Sequence, residues 1–182
     1  MTLAVLASGH GTLLEAILAA GLRPAVVIAD RPCRALEVAA SSGVPLEVVT
    51  RASFGADFDR AAFTDDVVRL LKDVGAGTIA MAGFMTVLAP AAFVAFPERI
   101  LNTHPSLLPA FPGAHAVRDA LAFGVKVSGC TVHLATERVD HGPILAQEAV
   151  VVRPDDDEAT LHGRIKAVEA RLYPEIIARV LA

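Results

Sequence analysis

The 182-residue chain is long enough for one sizeable core and short for two, and its 54% apolar content, rich in Ala, Val and Leu, suits a buried parallel sheet under helices. A formal net charge of −4 with no basic stripe sets nucleic acid aside as a main partner. Cys33 and Cys130 lie far apart with no CxxC pair, and no signal peptide precedes the short apolar run at 3–7, so a cytoplasmic protein with reduced, buried thiols is expected.

Leu3–Ala7 reads as a buried strand. Ser8-Gly9-His10-Gly11-Thr12 follows, and then a helix begins with Leu13, Leu14, Ile17 and Leu18 as its apolar stripe. Strand, glycine turn and helix together offer main-chain N–H groups to an anion. Thr12 is expected to cap the helix and to donate to phosphate. The turn is shorter than a dinucleotide fingerprint or a P-loop and no Lys follows it, so it suits a single phosphate. A tight turn that needs Gly satisfies the same residues.

Strands are predicted at 25–29 and 46–49, with a helix at 34–42 between them closed by Gly43. Helical spacing runs from 58 to 74, with Arg60 near its start. Residues 74–97 carry no charged side chain and are long enough to span a bilayer, but Gly75, Gly77, Gly83, Pro90 and Pro97 divide them. A strand at Thr78–Met81, a turn and a short helix at 91–96, all buried, is the better reading. Phe84, Met85, Val87 and Leu88 then lie at the mouth of the sheet, as ordinary core or as a slot for a flat ring.

Residues 101–113 read LNTHPSLLPAFPG. Three prolines in that run forbid a helix or a central strand, so a buried strand at Ile100 and Leu101 is expected to end there. Asn102 and His104 are two apart and, in extended chain, face the same side. An amide and an imidazole facing one spot suit an oxyanion and a moving proton, although a turn-capping Asn and a surface His fit as well. A helix is predicted at Ala116–Phe123, an alternating strand at Val127–Leu134, a polar loop at 136–142 and a strand at 144–152. Asp140 is the carboxylate of interest in that loop. The acids at 155–158 open a last helix with Leu161, Ile165, Val168 and Leu172 inward, and Pro174 is expected to kink or divide it.

The alternation of strands and helices predicts an α/β, doubly wound, mostly parallel sheet flanked by helices. In such sheets sites form at the carboxyl ends of strands, which would bring the glycine turn, residues 84–88 and Asn102/His104 to one edge. No linker or repeat divides the chain, so a single domain over 1–182 is expected.

LNTHPSLLPAFPG at 101–113 and GCTVHLATERVDHGPIL at 129–145, with SGHGT at 8–12 and AGFMTVLAP at 82–90, resemble the signature segments of the folate-dependent formyltransferases. The resemblance covers nearly the whole chain. It implies a formyltransferase-like fold with a Rossmann-like, phosphate-binding half at about 1–100 and a folate and catalytic half at about 101–182. The SGxG turn resembles the branch that formylates glycinamide ribonucleotide in purine synthesis.

The resemblance implies 10-formyltetrahydrofolate as co-substrate, no metal, small-molecule partners only, no membrane, and a monomer or homodimer. Gly11, Thr12 and Leu13 would hold the substrate phosphate through main-chain N–H groups, with Lys166 close by and Glu169 facing the ribose. Arg60, Met85, Thr86, Val87, Leu88, Thr136, Glu137, Arg138, Val139 and Asp140 would enclose the folate, with Asn102. Asn102, His104 and Asp140 would be the catalytic trio for direct transfer through a tetrahedral intermediate. Leu13 stands where many relatives have Asn, and Thr86 where others have Arg.

Rival readings remain at this stage. A transfer-RNA formyltransferase would add an RNA-binding domain and a basic surface. A deformylase would add an N-terminal regulatory domain. A metallohydrolase would use His104, His133 and Asp140 as ligands, without an HExxH-like spacing in support. A non-catalytic binding module would need the phosphate turn alone.

Overall fold

The computed structural model describes residues 1–53 and 55–182. Among these, one sheet runs β3-β2-β1-β4-β5-β6-β7. Its strands are β1 (Leu3–Ala7), β2 (Val26–Ala29), β3 (Leu46–Val48), β4 (Thr78–Met81), β5 (Ile100–His104), β6 (Val127–Leu134) and β7 (Ile144–Val151). The first five are parallel, while β6 and β7 are added antiparallel. The helices are α1 (Thr12–Ala19), α2 (Arg34–Ser41), α3 (Arg60–Asp73), α4 (Pro90–Ala95), α5 (Ala116–Phe123) and α6 (Glu158–Leu181).

Every residue of β1 is buried, because the strand is covered on both faces. Alternation along it separates two cores. Leu3, Val5 and Ala7 join Leu14 and Ile17 of α1 and Leu161, Ile165, Tyr173 and Ile177 of α6. Ala4 and Leu6 join Phe63, Val67 and Leu71 of α3 and Ala92 of α4 on the other face. Each such large side chain contributes about 1.5–3 kcal/mol on burial.

Four expectations are corrected. β5 does not stop at Leu101: it runs through His104, because β6 supplies an antiparallel ladder pairing Asn102 with His133 and His104 with Thr131. Pro174 does not divide α6, which is one 24-residue helix. Leu172, Tyr173, Ile176 and Ile177 are buried around that proline, and the Tyr173 hydroxyl donates to the Leu101 carbonyl at 2.9 Å, so packing holds the helix across the missing N–H. The short helix after β4 is only half covered, with Val94 78% exposed. Cys130 is buried as expected, but Cys33 is partly exposed as the N-cap of α2. No helix among the described residues is long and apolar enough to cross a membrane.

Candidate active site

A cleft of about 1230 Å³ opens along the carboxyl edge of the sheet. Its walls come from the turn after β1, the segment after β4, the end of β5, the loop after β6 and one stripe of α6. Strand ends, which the doubly wound topology gathers on one edge, thus supply most of the site.

At one end lies the turn Ser8-Gly9-His10-Gly11. Gly11 has φ 76° and is the N-cap of α1. A Cβ at Gly11 would lie 2.8 Å from the Ala35 Cα, so both backbone angle and space require glycine. The expected cap by Thr12 is therefore corrected: Thr12 is the first helical residue, exposed, and no side chain caps this helix. Helix α2 takes up two of the turn's carbonyls. The Ala35 N–H donates to Gly9 O at 3.1 Å and the Arg34 guanidinium donates to His10 O at 2.6 Å. In a trans peptide the N–H points opposite to the C=O, so the N–H groups of His10 and Gly11 face the other way. The first intrahelical bond is Glu15 N–H to Gly11 O, which leaves the N–H groups of Thr12, Leu13 and Leu14 ahead of it. Leu13 lines the cleft, and its side chain packs in the core, 8% exposed.

Lys166, Glu169 and His162 of α6 also line the cleft. Burial pushes the Glu169 carboxyl up, against a hydrogen bond from Thr103 and the Lys166 charge. Burial, with Lys166 beside it, pushes the His162 imidazole down. Thr103 alternates away from its neighbours and also lies 3.3 Å from the Cys130 thiol, which burial pushes up to about 12.

At the other end stand Asn102, His104 and Asp140. His104 is 5% exposed, with Nε2 2.8 Å from the Phe111 carbonyl and Nδ1 3.3 Å from the Asp140 carboxylate. Both ring nitrogens thus face acceptors, an arrangement that a doubly protonated ring satisfies. His133 lies behind the trio, 1% exposed. Its Nδ1 donates to Leu134 O at 2.9 Å, so its Nε2 accepts from the Asn102 amide at 3.2 Å. Burial pushes the His133 pKa down, which keeps that ring neutral and able to accept. One Asn102 N–H is thereby spent and the other is left for the cleft.

Asp140 has φ 59° and accepts the Gly113 N–H at 2.8 Å. A left-handed Asp costs about 1–3 kcal/mol and persists only where its surroundings impose it. Gly142 does so: a Cβ there would lie 1.8 Å from Leu134 O, so only glycine lets the loop close against β6. The Leu134 N–H donates to Pro143 O at 2.9 Å and completes the closure. The Asp-x-Gly-Pro spacing thus has a geometric cause. His133 Nε2 is 3.7 Å from Asp140, and no group of His, Cys, Asp or Glu among the described residues is arranged to hold a metal ion.

The expected folate residues divide. Met85, Thr86, Val87, Leu88, Thr136, Val139 and Asp140 line the cleft. Phe84 lines it too and stacks on Phe63 at 6.4 Å. Thr86 lines it without offering its hydroxyl: the residue is 1% exposed and Oγ1 donates to Asp30 at 2.7 Å. Glu137 and Arg138 are exposed and outside the lining, and so is Arg60, the first residue of α3. Sequence reasoning missed Asp30, Arg34, Thr103 and His162, and gave His133 no link to Asn102. Strand alternation placed His133 opposite Cys130, and the β5–β6 register supplies the rest.

The model of the formyl transferase family matches residues 1–177. The phosphoribosylglycinamide formyltransferase of Mycobacterium tuberculosis is 48% identical over 181 residues, covering 97% of this chain and 83% of that one. The enzyme of the same name from Bacillus subtilis is 36% identical, covering 98% and 93%. The crystal structure of glycinamide ribonucleotide transformylase 1 from Symbiobacterium toebii superposes with a TM-score of 0.91 at 44% identity, over 97% of this chain and 85% of that chain.

Proposed function

Since this chain belongs to the formyl transferase family, we propose that it transfers the formyl group of 10-formyltetrahydrofolate to the amine of 5'-phosphoribosylglycinamide, in purine synthesis. The observation that carries the reading is the single cleft with a main-chain anion turn at one end and Asn102, His104 and Asp140 at the other. An acceptor anchored by its phosphate would reach the trio with its amine. The apolar wall of Met85, Val87 and Leu88, with Thr136 and Val139 opposite, suits the flat ring of the donor.

In this reading the amine nitrogen attacks the formyl carbon, and negative charge develops on the formyl oxygen. The second Asn102 N–H donates to that oxygen. His104 gives it a charged donor by exchanging one of its two acceptors, the longer contact being the one to Asp140. Asp140 then assists removal of the proton from the attacking nitrogen. Collapse of the intermediate breaks the bond from the formyl carbon to the folate N10, which takes up the proton released by the attacking nitrogen as tetrahydrofolate leaves, and no covalent enzyme intermediate forms. Gly11, Thr12 and Leu13 hold the phosphate through main-chain N–H groups beside Lys166, and Glu169 faces the ribose. All partners are small molecules, and the free Cys33 and Cys130 suit a reducing cytoplasm.

An absorbance assay with 10-formyl-5,8-dideazafolate tests the reading. Release of the deformylated folate is expected only when glycinamide ribonucleotide is present. Equal release without it would make the protein a hydrolase, and none in either case would overturn the assignment.

A further inference from the structure

Asp30 is 0% exposed just beyond the end of β2, and the chemistry above does not use it. A buried carboxylate persists only where its partners outweigh desolvation. Burial pushes this carboxyl up, yet hydrogen bonds from Arg31, Thr86 and Ser8 prevail and hold it below the usual range. Arg31 donates at 2.9 and 3.0 Å, the Thr86 hydroxyl at 2.7 Å and the Ser8 hydroxyl at 2.9 Å. The Ser8 oxygen in turn accepts the Met85 N–H at 2.8 Å. β2, β1 and β4 are adjacent in the sheet, so these groups sit at three neighbouring strand ends. Ser8 opens the turn at the acceptor end, while Met85 and Thr86 belong to the donor wall.

We propose that Asp30 is a positioning residue for the transfer: it fixes residues 8–12 against residues 85–88 and thereby sets the separation of phosphate and folate ring. This rests on the assignment of those two segments to acceptor and donor. Asp30 itself does not line the cleft and touches neither substrate. The network needs a carboxylate, since both oxygens accept from charged or hydroxyl donors. An amide of the same shape would turn N–H groups toward donors. The network also joins two segments of the cleft wall. Removing the Ser8 hydroxyl, on the acceptor side, releases the Met85 N–H on the donor side.

Asp30→Asn, Ser8→Ala and Thr86→Val in the intact chain test this, with melting temperature, both KM values and amide exchange as readouts. Loss of a hydrogen bond to a charged group predicts KM for both substrates rising about tenfold in Asp30→Asn, more than kcat falls. Ser8→Ala is expected to raise the donor KM about threefold, and to add little to Asp30→Asn because both act through one network. Exchange at Met85 and at residues 9–12 is expected to quicken together in Asp30→Asn. A lower melting temperature with both KM values unchanged would show a merely structural carboxylate and overturn the proposal, as would full additivity. If Asp30→Asn does not fold, an unchanged donor KM in both Ser8→Ala and Thr86→Val overturns it. If the wild-type chain transfers no formyl group, the functional reading fails on its own. The coupled exchange of Met85 and residues 9–12 then decides whether Asp30 holds the two segments together.

Discussion

One end of the cleft presents main-chain N–H groups from the turn at residues 9–13, while the other presents side chains of Asn102, His104 and Asp140 held by further side chains. The main-chain end depends on backbone angle and on the room that Ala35 leaves beside Gly11. It is therefore indifferent to most side-chain chemistry, and the Leu13 side chain packs in the core instead. The side-chain end depends on which atom carries a proton, so substitutions that keep shape and change chemistry are the damaging ones there. The same cleft thus answers to geometry at one end and to chemistry at the other.

The largest effect is expected where chemistry rules. Asp140→Asn keeps the shape of the loop and is predicted to lower kcat roughly a thousandfold, the scale of a lost proton-transfer group, with the acceptor KM within about threefold. Steady-state kinetics would break the comparison if KM rose as steeply as kcat fell. Gly11→Ala adds one methyl at φ 76° and is predicted to cost about 1–3 kcal/mol in a denaturant melt. The acceptor KM should rise about tenfold, with little change for the donor. Leu13→Asn sharpens the contrast. It places an amide at a buried position and should cost about 1–3 kcal/mol without lowering the acceptor KM. A lower KM would mean that the side chain serves the phosphate after all.

Asp30 supplies a pH prediction. Its folded pKa lies below the ordinary value, so the unfolded chain takes up the proton first as pH falls. Stability from this group is complete above the ordinary carboxylate pKa of about 3.9 and is lost as pH drops through the folded value. The acid limb of melting temperature against pH should therefore flatten in Asp30→Asn. The smallest effect is expected at Arg138, exposed and outside the lining, where Arg138→Ala should shift the donor KM by less than about twofold.

Local patterns announced what local forces decide. The uninterrupted apolar run of β1 is settled by burial within a few residues. The i, i+2 spacing of Asn102 and His104 reads directly as one face of an extended chain. What escaped depends on contacts distant in sequence. β5 reaches His104 only because β6 pairs with it. The Thr86 hydroxyl is taken up by Asp30, 56 residues away in the chain. Arg60 is the first residue of α3 and is not among the cleft-lining residues. Pro174 sits within a continuous helix because the burial around it outweighs a local rule.

Helix α6 can be viewed as a ruler. Tyr173 is its zero mark, pinned to the carbonyl of Leu101 immediately before Asn102. Glu169 stands about one turn from that mark and Lys166 about two, at 5.4 Å per turn. Any sliding of the helix past the sheet would shift both graduations along the cleft together and would first have to break a buried bond. In the proposed reading, the spacing between the glycine turn and the trio would thus be gauged from β5 itself, by a helix that carries no member of the trio.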